Sequence, residues 1–175
     1  MDRAWILLGM MGSGKSTVGH ALATLASREF MDTDRLLVQR LGRPISEFFA
    51  FYGEEAFRAH ETSILRALGP GAYVLATGGG IVTQERNWIE MKRLGVTVFM
   101  DVREDLLRER VARGKKRRPL LDYEDWEDRF SNLYTARRPM YERADVVVRI
   151  DDERIDESAQ TILAAIQGYQ GGSSV

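Results

Sequence analysis

Cysteine is missing from this 175-residue chain, and histidine occurs only twice, as His20 and His60. The first absence excludes a disulfide scaffold, a thiol nucleophile and thiolate metal ligands. The second argues against a histidine metal site or a histidine-based triad. No apolar run approaches the roughly 18 residues of a membrane span. Charge of one sign is lacking too. The 25 Lys+Arg face 26 Asp+Glu, a net charge of −1, so nothing draws the whole chain to nucleic acid or anionic lipid. The opening Met1-Asp2-Arg3, followed by Ala4 to Met11, has the outline of a signal peptide but no small-x-small cleavage site. A phosphate-binding motif begins inside it, so the segment is read as a buried strand and a cytoplasmic location is expected.

What remains is an ordinary globular composition, 44% apolar and 29% charged. The length suits one domain, expected over 1–168, with 169–175 as a flexible tail. Short apolar runs alternate with helical patterns. The runs are Trp5–Leu8, Phe30-Met31, Tyr73–Ala76, Val96–Met100 and Val146–Val148. Continuous apolarity predicts strands covered on both faces, though Phe30-Met31 is too short to assign without its context. Val18, Leu22 and Leu25 mark one helical stripe between them; Phe57, Ile64 and Leu68 mark another. The fold class is therefore α/β, a parallel sheet with helices on both faces.

Gly9-Met10-Met11-Gly12-Ser13-Gly14-Lys15-Ser16-Thr17 follows the first run and opens the first helix. It fits G-x-x-x-x-G-K-[ST] at Gly9, Gly14, Lys15 and Ser16. Glycines let the backbone wrap phosphate with inward N–H groups, and the helix start adds its positive dipole end. Lys15 supplies a point charge for the β and γ phosphates, and the Ser16 hydroxyl suits Mg²⁺. The motif implies a nucleoside triphosphate and leaves the phosphate acceptor open.

Three further features bear on the acceptor. Asp32-Thr33-Asp34 follows the second run, where ligands bind in open α/β sheets. One carboxylate can hold the water shell of Mg²⁺ and the other can take a hydroxyl proton, while helix capping competes as an explanation. Arg58 and Glu61 share a helix face three residues apart, which on spacing alone also describes a surface ion pair. Thr77-Gly78-Gly79-Gly80 ends the third run and leaves bare backbone N–H groups at the edge that holds phosphate.

Together these blocks resemble the shikimate kinase family. The carriers are the phosphate loop, Asp32-x-Asp34, Gly53-Glu54-x-x-Phe57-Arg58 and Arg58-x-x-Glu61-x-x-x-Leu65. Val74 to Val82, Arg118-Pro119-Leu120-Leu121 and Arg137-Arg138-Pro139-Met140-Tyr141 complete the set. They run in order from about residue 5 to about residue 155. Met140 stands where the family often has another aliphatic residue, and the run from Arg113 to Arg118 is unusually basic.

The resemblance implies a P-loop, nucleotide-kinase-like fold with a five-stranded parallel sheet and a mobile lid, at about 112–122 here. It implies ATP-dependent phosphorylation of the 3-hydroxyl of shikimate, a step of chorismate and aromatic amino-acid biosynthesis. Asp34, Arg58, Gly79 and Arg137 would bind shikimate. Gly12, Ser13, Gly14, Lys15, Ser16 and Thr17 would bind ATP. Ser16 would hold Mg²⁺, and Asp32 and Glu61 would belong to its outer shell, Asp32 through water. Arg118 would reach the phosphates from the lid, with Arg117 as a neighbour able to substitute, and Arg154 would lie near adenine. Lys15, Asp34 and Arg118 are the expected catalytic residues. The expected partners are ATP and shikimate alone, with no nucleic acid or membrane, on a monomer.

Residue chemistry agrees independently. A carboxylate-bearing acceptor calls for guanidinium forks, and Arg58 and Arg137 are available. Arg137 extends the stripe Trp126, Phe130, Leu133 on a predicted helix. A basic loop such as Arg113 to Arg118 can close over ATP and exclude water, or serve as a solvated or nucleic-acid-binding face. The competing functions are a gluconate-type small-molecule kinase, a nucleoside-monophosphate kinase and a P-loop binding module without kinase activity.

Overall fold

The computed structural model describes residues 3–114, 124–151 and 154–169. Five parallel strands form one sheet in the order β2-β3-β1-β4-β5. They are β1 (Ala4–Leu8), β2 (Glu29–Asp32), β3 (Tyr73–Ala76), β4 (Gly95–Val102) and β5 (Val146–Ile150). The helices are α1 (Lys15–Leu25), α2 (Thr33–Leu41), α3 (Ile45–Ala67), α4 (Glu85–Leu94), α5 (Glu104–Arg113), α6 (Trp126–Tyr141) and α7 (Ile155–Gly168).

The three inner strands are buried at every residue, as continuous apolar runs require when helices cover both faces. β5 departs from that expectation. Val146, Val148 and Ile150 are buried, whereas Val147 and Arg149 are exposed. It is an edge strand with one face on the core, which three consecutive valines do not reveal. On α1, Val18 and Leu22 are buried, but Leu25 is the helix's last residue and is 47% exposed.

A second, smaller core lies under the α2–α3 corner, where Leu37, Phe48, Phe57 and Ile64 pack together. Burying each such side chain contributes about 1.5–3 kcal/mol. Within α3, Gly53 adopts φ 77° and breaks the helix into two parts, a conformation that suits glycine. The second part starts at Glu54 and carries Arg58 and Glu61. The strand order reverses between β1 and its two neighbours, β3 and β4, so the carboxyl ends of the inner strands form the crevice where ligands bind in such sheets.

α6 is fastened along its length. Phe130 is buried, and Trp126 and Leu133 are half-buried against the main core. Pro139 removes one helical N–H donor. The adjacent Arg138 forks onto Asp101 at the end of β4, with bonds of 2.8 and 3.0 Å. Arg149 adds a third bond to the same carboxylate at 3.2 Å. The last described residue, Tyr169, caps α7, and its hydroxyl donates to Asp145 at 3.4 Å.

Candidate active site

The phosphate loop leaves β1 at Leu8 and enters α1 at Lys15. Gly14 is the cap, at φ 86°, a left-handed position that aims the first free N–H groups of α1 into the loop. Lys15 is nearly buried. Its ammonium donates to Gly9 O at 2.8 Å, Met10 O at 3.0 Å and Ser13 Oγ at 3.1 Å. The charge is thereby held inside the loop's curve. A cavity of about 290 Å³ adjoins the loop, lined by Ser13, Gly14, Thr17, Val18, Arg110 and Ile155, among others.

Asp32 caps a helix and bonds the phosphate loop at once. Its Oδ1 caps α2, accepting from the N–H of Asp34 at 2.9 Å and of Arg35 at 3.3 Å. Its Oδ2 accepts from Ser16 Oγ at 2.6 Å. A hydroxyl and a carboxylate side by side at a phosphate loop are a hard-oxygen pair of the kind Mg²⁺ takes. Asp34 follows in the first turn of α2 and is exposed.

The glycine run brings the two halves of the site together. Gly78 N donates to the buried Thr33 hydroxyl at 3.0 Å. A Cβ on Gly78 would lie 3.0 Å from both Asp34 Oδ1 and Glu61 Oε1. A Cβ on Gly79 would lie 3.5 Å from Gly9 O of the phosphate loop, and one on Gly80 would collide with the Arg58 guanidinium. The backbone of 78–80 therefore runs between Asp34, Glu61, Arg58 and the loop, with no room for a side chain at Gly80.

Arg58 and Glu61 are not the surface pair that spacing alone allows. Arg58 is 8% exposed and Glu61 1%. Arg58 Nη1 donates to Glu61 Oε2 at 2.6 Å, while Nε and Nη2 reach Glu54 Oε1 at 3.3 and 3.1 Å. Burial pushes the Glu61 carboxyl above the usual range against the pull of Arg58; nearby Asp34 pushes it further and Arg137 opposes. Burial works against the charge on Arg58, but its carboxylate partners hold its pKa above the ordinary value. Thr62 and Asn87 lock the surrounding backbone, linked at 2.7 Å, with Asn87 Nδ2 donating to Ile81 O at 2.8 Å.

Arg137 approaches from α6. It is half-buried and lies within electrostatic reach of Glu61 and Tyr141. Tyr141 in turn donates to Gly79 O and stacks on Phe99 with ring centroids 5.2 Å apart. Burial pushes its phenol up to about 12, against the pull of Arg137 and Arg58. Asp34, Arg58, Glu61, Gly79 and Arg137 thus converge beside the phosphate loop. On the outer side of Arg58 a wider cavity, about 640 Å³, is lined by Glu54, Glu55, Arg58, Gln84, Glu85 and Arg86.

A family model described as shikimate kinase matches residues 11–167. The chain belongs to the shikimate kinase family. A shikimate kinase from Caldanaerobacter subterraneus is 35% identical over 95% of this chain and 97% of its own length. One from Symbiobacterium thermophilum is 40% identical over 92% of each. Among solved structures, a shikimate kinase from Acinetobacter baumannii in complex with shikimate superposes with a TM-score of 0.90 at 36% identity, covering 96% of this chain and 94% of that one. A gluconokinase from Sinorhizobium meliloti reaches 0.55 at 19% identity over 95% of this chain and 92% of that one, a likeness of fold alone.

Two expected site residues are not among those that converge on the cluster in the described part of the chain. Arg118, with Arg117, lies outside the described residues, as does the expected lid beyond Gly114; its first residues, Ala112 and Arg113, are the last turn of α5. Arg154 precedes Ile155 of the loop-side cavity, and its guanidinium pairs with Glu157. Four contributors escaped the sequence reading. Thr33 sits between the two aspartates, and Tyr141 ends a quoted block, so both had a positional signal. Arg110 and Asp101 had none: only the packing of α5 brings Arg110 to the loop-side cavity, and Asp101 acts from β4 by holding Arg138 of α6.

Proposed function

We propose that this chain transfers the γ-phosphoryl group of ATP to the 3-hydroxyl of shikimate, giving shikimate 3-phosphate and ADP in aromatic amino-acid biosynthesis. The observation that carries the reading is the convergence of two guanidinium groups, Arg58 and Arg137, and the carboxylate Asp34 on a bare glycine backbone beside a phosphate loop. Two arginines suit the acceptor's carboxylate, and Gly79 presents backbone rather than bulk to it. Asp34 orients the 3-hydroxyl and takes its proton as the hydroxyl oxygen bonds to the γ-phosphorus. The bond from that phosphorus to the β–γ bridging oxygen breaks, and ADP departs.

Little covalent work falls to the protein in such a transfer; position and charge dominate. Gly12, Ser13, Gly14 and Thr17 wrap the phosphates with backbone and hydroxyl donors. Lys15 exchanges the carbonyls of Gly9 and Met10 for phosphate oxygens. Ser16 and Asp32 would hold Mg²⁺, Asp32 through water, and the ion would supply charge neutralisation for the phosphates. Arg118 closes from a lid at about 112–122, and Arg110 and Arg154 flank the base side. The enzyme works as a cytoplasmic monomer on small molecules, without nucleic acid or membrane; no helix among the described residues is long and apolar enough to cross one.

An acceptor panel tests this. ADP release is followed with shikimate, gluconate and AMP in turn, each with ATP and Mg²⁺. Release with shikimate alone is expected. Release with gluconate or AMP would favour the related kinases, and none with any acceptor would leave a nucleotide-binding module.

A further inference from the structure

Resting on the reading of Arg58 as a grip for the acceptor's carboxylate, we propose that Glu54 is an internal competitor for that grip, displaced when the acceptor binds. The geometry is specific. Every nitrogen of the Arg58 guanidinium already donates to a carboxylate, Nη1 to Glu61 and the Nε/Nη2 edge to one oxygen of Glu54. Three of its five N–H groups are thus engaged, and one on each Nη remains; a two-pronged grip on the Nε/Nη2 edge requires the oxygen of Glu54 to leave.

Exposure decides which carboxylate yields. The side chain of Glu61 is 1% exposed and that of Glu54 68% exposed. Glu61 is enclosed by α3, Asp34 and the glycine run and has nowhere to go. Glu54 stands in the first turn after the Gly53 break and borders the open cavity of about 640 Å³. It can rotate into water at the small cost of an exposed ion pair.

Charge balance points the same way. Asp34 and Glu61 offset Arg58 and Arg137 within the cluster. With Glu54 in place the cluster carries one negative charge in excess, and an acceptor carboxylate would make two. Departure of Glu54 to solvent removes one of them, where water screens it. Glu54 therefore keeps a nearly buried arginine paired and lowers affinity for any carboxylate that needs it.

The test uses Glu54→Gln and Glu54→Ala enzymes, with Arg58→Gln alongside, in steady-state kinetics with shikimate varied at saturating ATP. Both Glu54 variants should lower KM for shikimate about 1.5- to 5-fold, the range of a solvent-exposed ion pair, with kcat within twofold of the parent. Arg58→Gln should raise KM. A KM equal to or above the parental value in both Glu54 variants, with KM raised in Arg58→Gln, overturns the competition while leaving the grip intact. A parental KM in Arg58→Gln overturns both the grip and the competition.

Discussion

Arg58→Gln probes the buried ion pair through stability as well as binding. The parent pair joins a 10% exposed arginine side chain to a 1% exposed glutamate at 2.6 Å. Removing one partner of such a pair leaves the other buried and unpaired, a loss of about 3–5 kcal/mol. With a urea slope of roughly 2 kcal/mol per molar, the midpoint should fall by roughly 1.5–2.5 M at neutral pH. The loss should depend on pH, with a definite sign. The folded Glu61 pKa lies above the unfolded one, chiefly through burial, so its stability contribution is full below the ordinary value of about 4.3 and is lost as pH rises through the folded value. Arg58 pulls that folded value down. Without Arg58 it climbs further, and the penalty at neutral pH deepens by about 1.4 kcal/mol per added unit. Urea midpoints of parent and variant at pH 5, 6, 7 and 8 measure this. The deficit should widen from pH 5 upward, and Glu61→Gln added to Arg58→Gln should abolish the widening. A deficit equal at every pH would refute the account of Glu61 as a carboxylate kept ionised by Arg58.

Lys15→Ala should leave a folded protein and lower turnover at least about 10²-fold, as for loss of one preorganised electrostatic contact; single-turnover phosphoryl transfer and circular dichroism check both halves. Gly80→Ala places a methyl group against the Arg58 guanidinium, so KM for shikimate should rise while affinity for ADP, read by calorimetry, stays parental. Tyr141→Phe removes the hydrogen bond to Gly79 O and should cost about 1 kcal/mol by urea unfolding. The same variant should lose the tyrosine's part of the decline in stability as pH rises from the ordinary phenol range of about 10 towards about 12, because the parent's phenol is raised by burial.

The α/β class and the inner strands were legible because buried parallel strands write themselves as apolar runs, whereas the edge strand β2, with no fully buried residue, offers only Phe30 and Met31. The phosphate loop was legible because its glycines and lysine are local requirements. The grouping of the candidate acceptor residues was legible only through the combined blocks, since its members come from α2, α3, the glycine run and α6. Spacing could not tell that Arg58 and Glu61 are buried, because burial there comes from Gly80 and the Asn87–Thr62 lock, elements distant in sequence. The double contact of Asp32 was also hidden: an oxygen that caps α2 and an oxygen that accepts from Ser16 look alike in a sequence. Asp101 gave no signal, since an aspartate closing an apolar strand acquires its meaning only when Arg138 and Arg149 arrive from other elements.

The proposed function requires Arg137 to read the acceptor's carboxylate together with Arg58. Calorimetric titration of shikimate and of its carboxamide analogue into the parent and Arg137→Ala enzymes, with ADP and Mg²⁺ present, forms a complete cycle. The account predicts that the parent discriminates against the amide by about 1.5–3 kcal/mol, the worth of a charge-assisted bond, and that most of this discrimination vanishes in Arg137→Ala. Equal discrimination with and without Arg137 would contradict it.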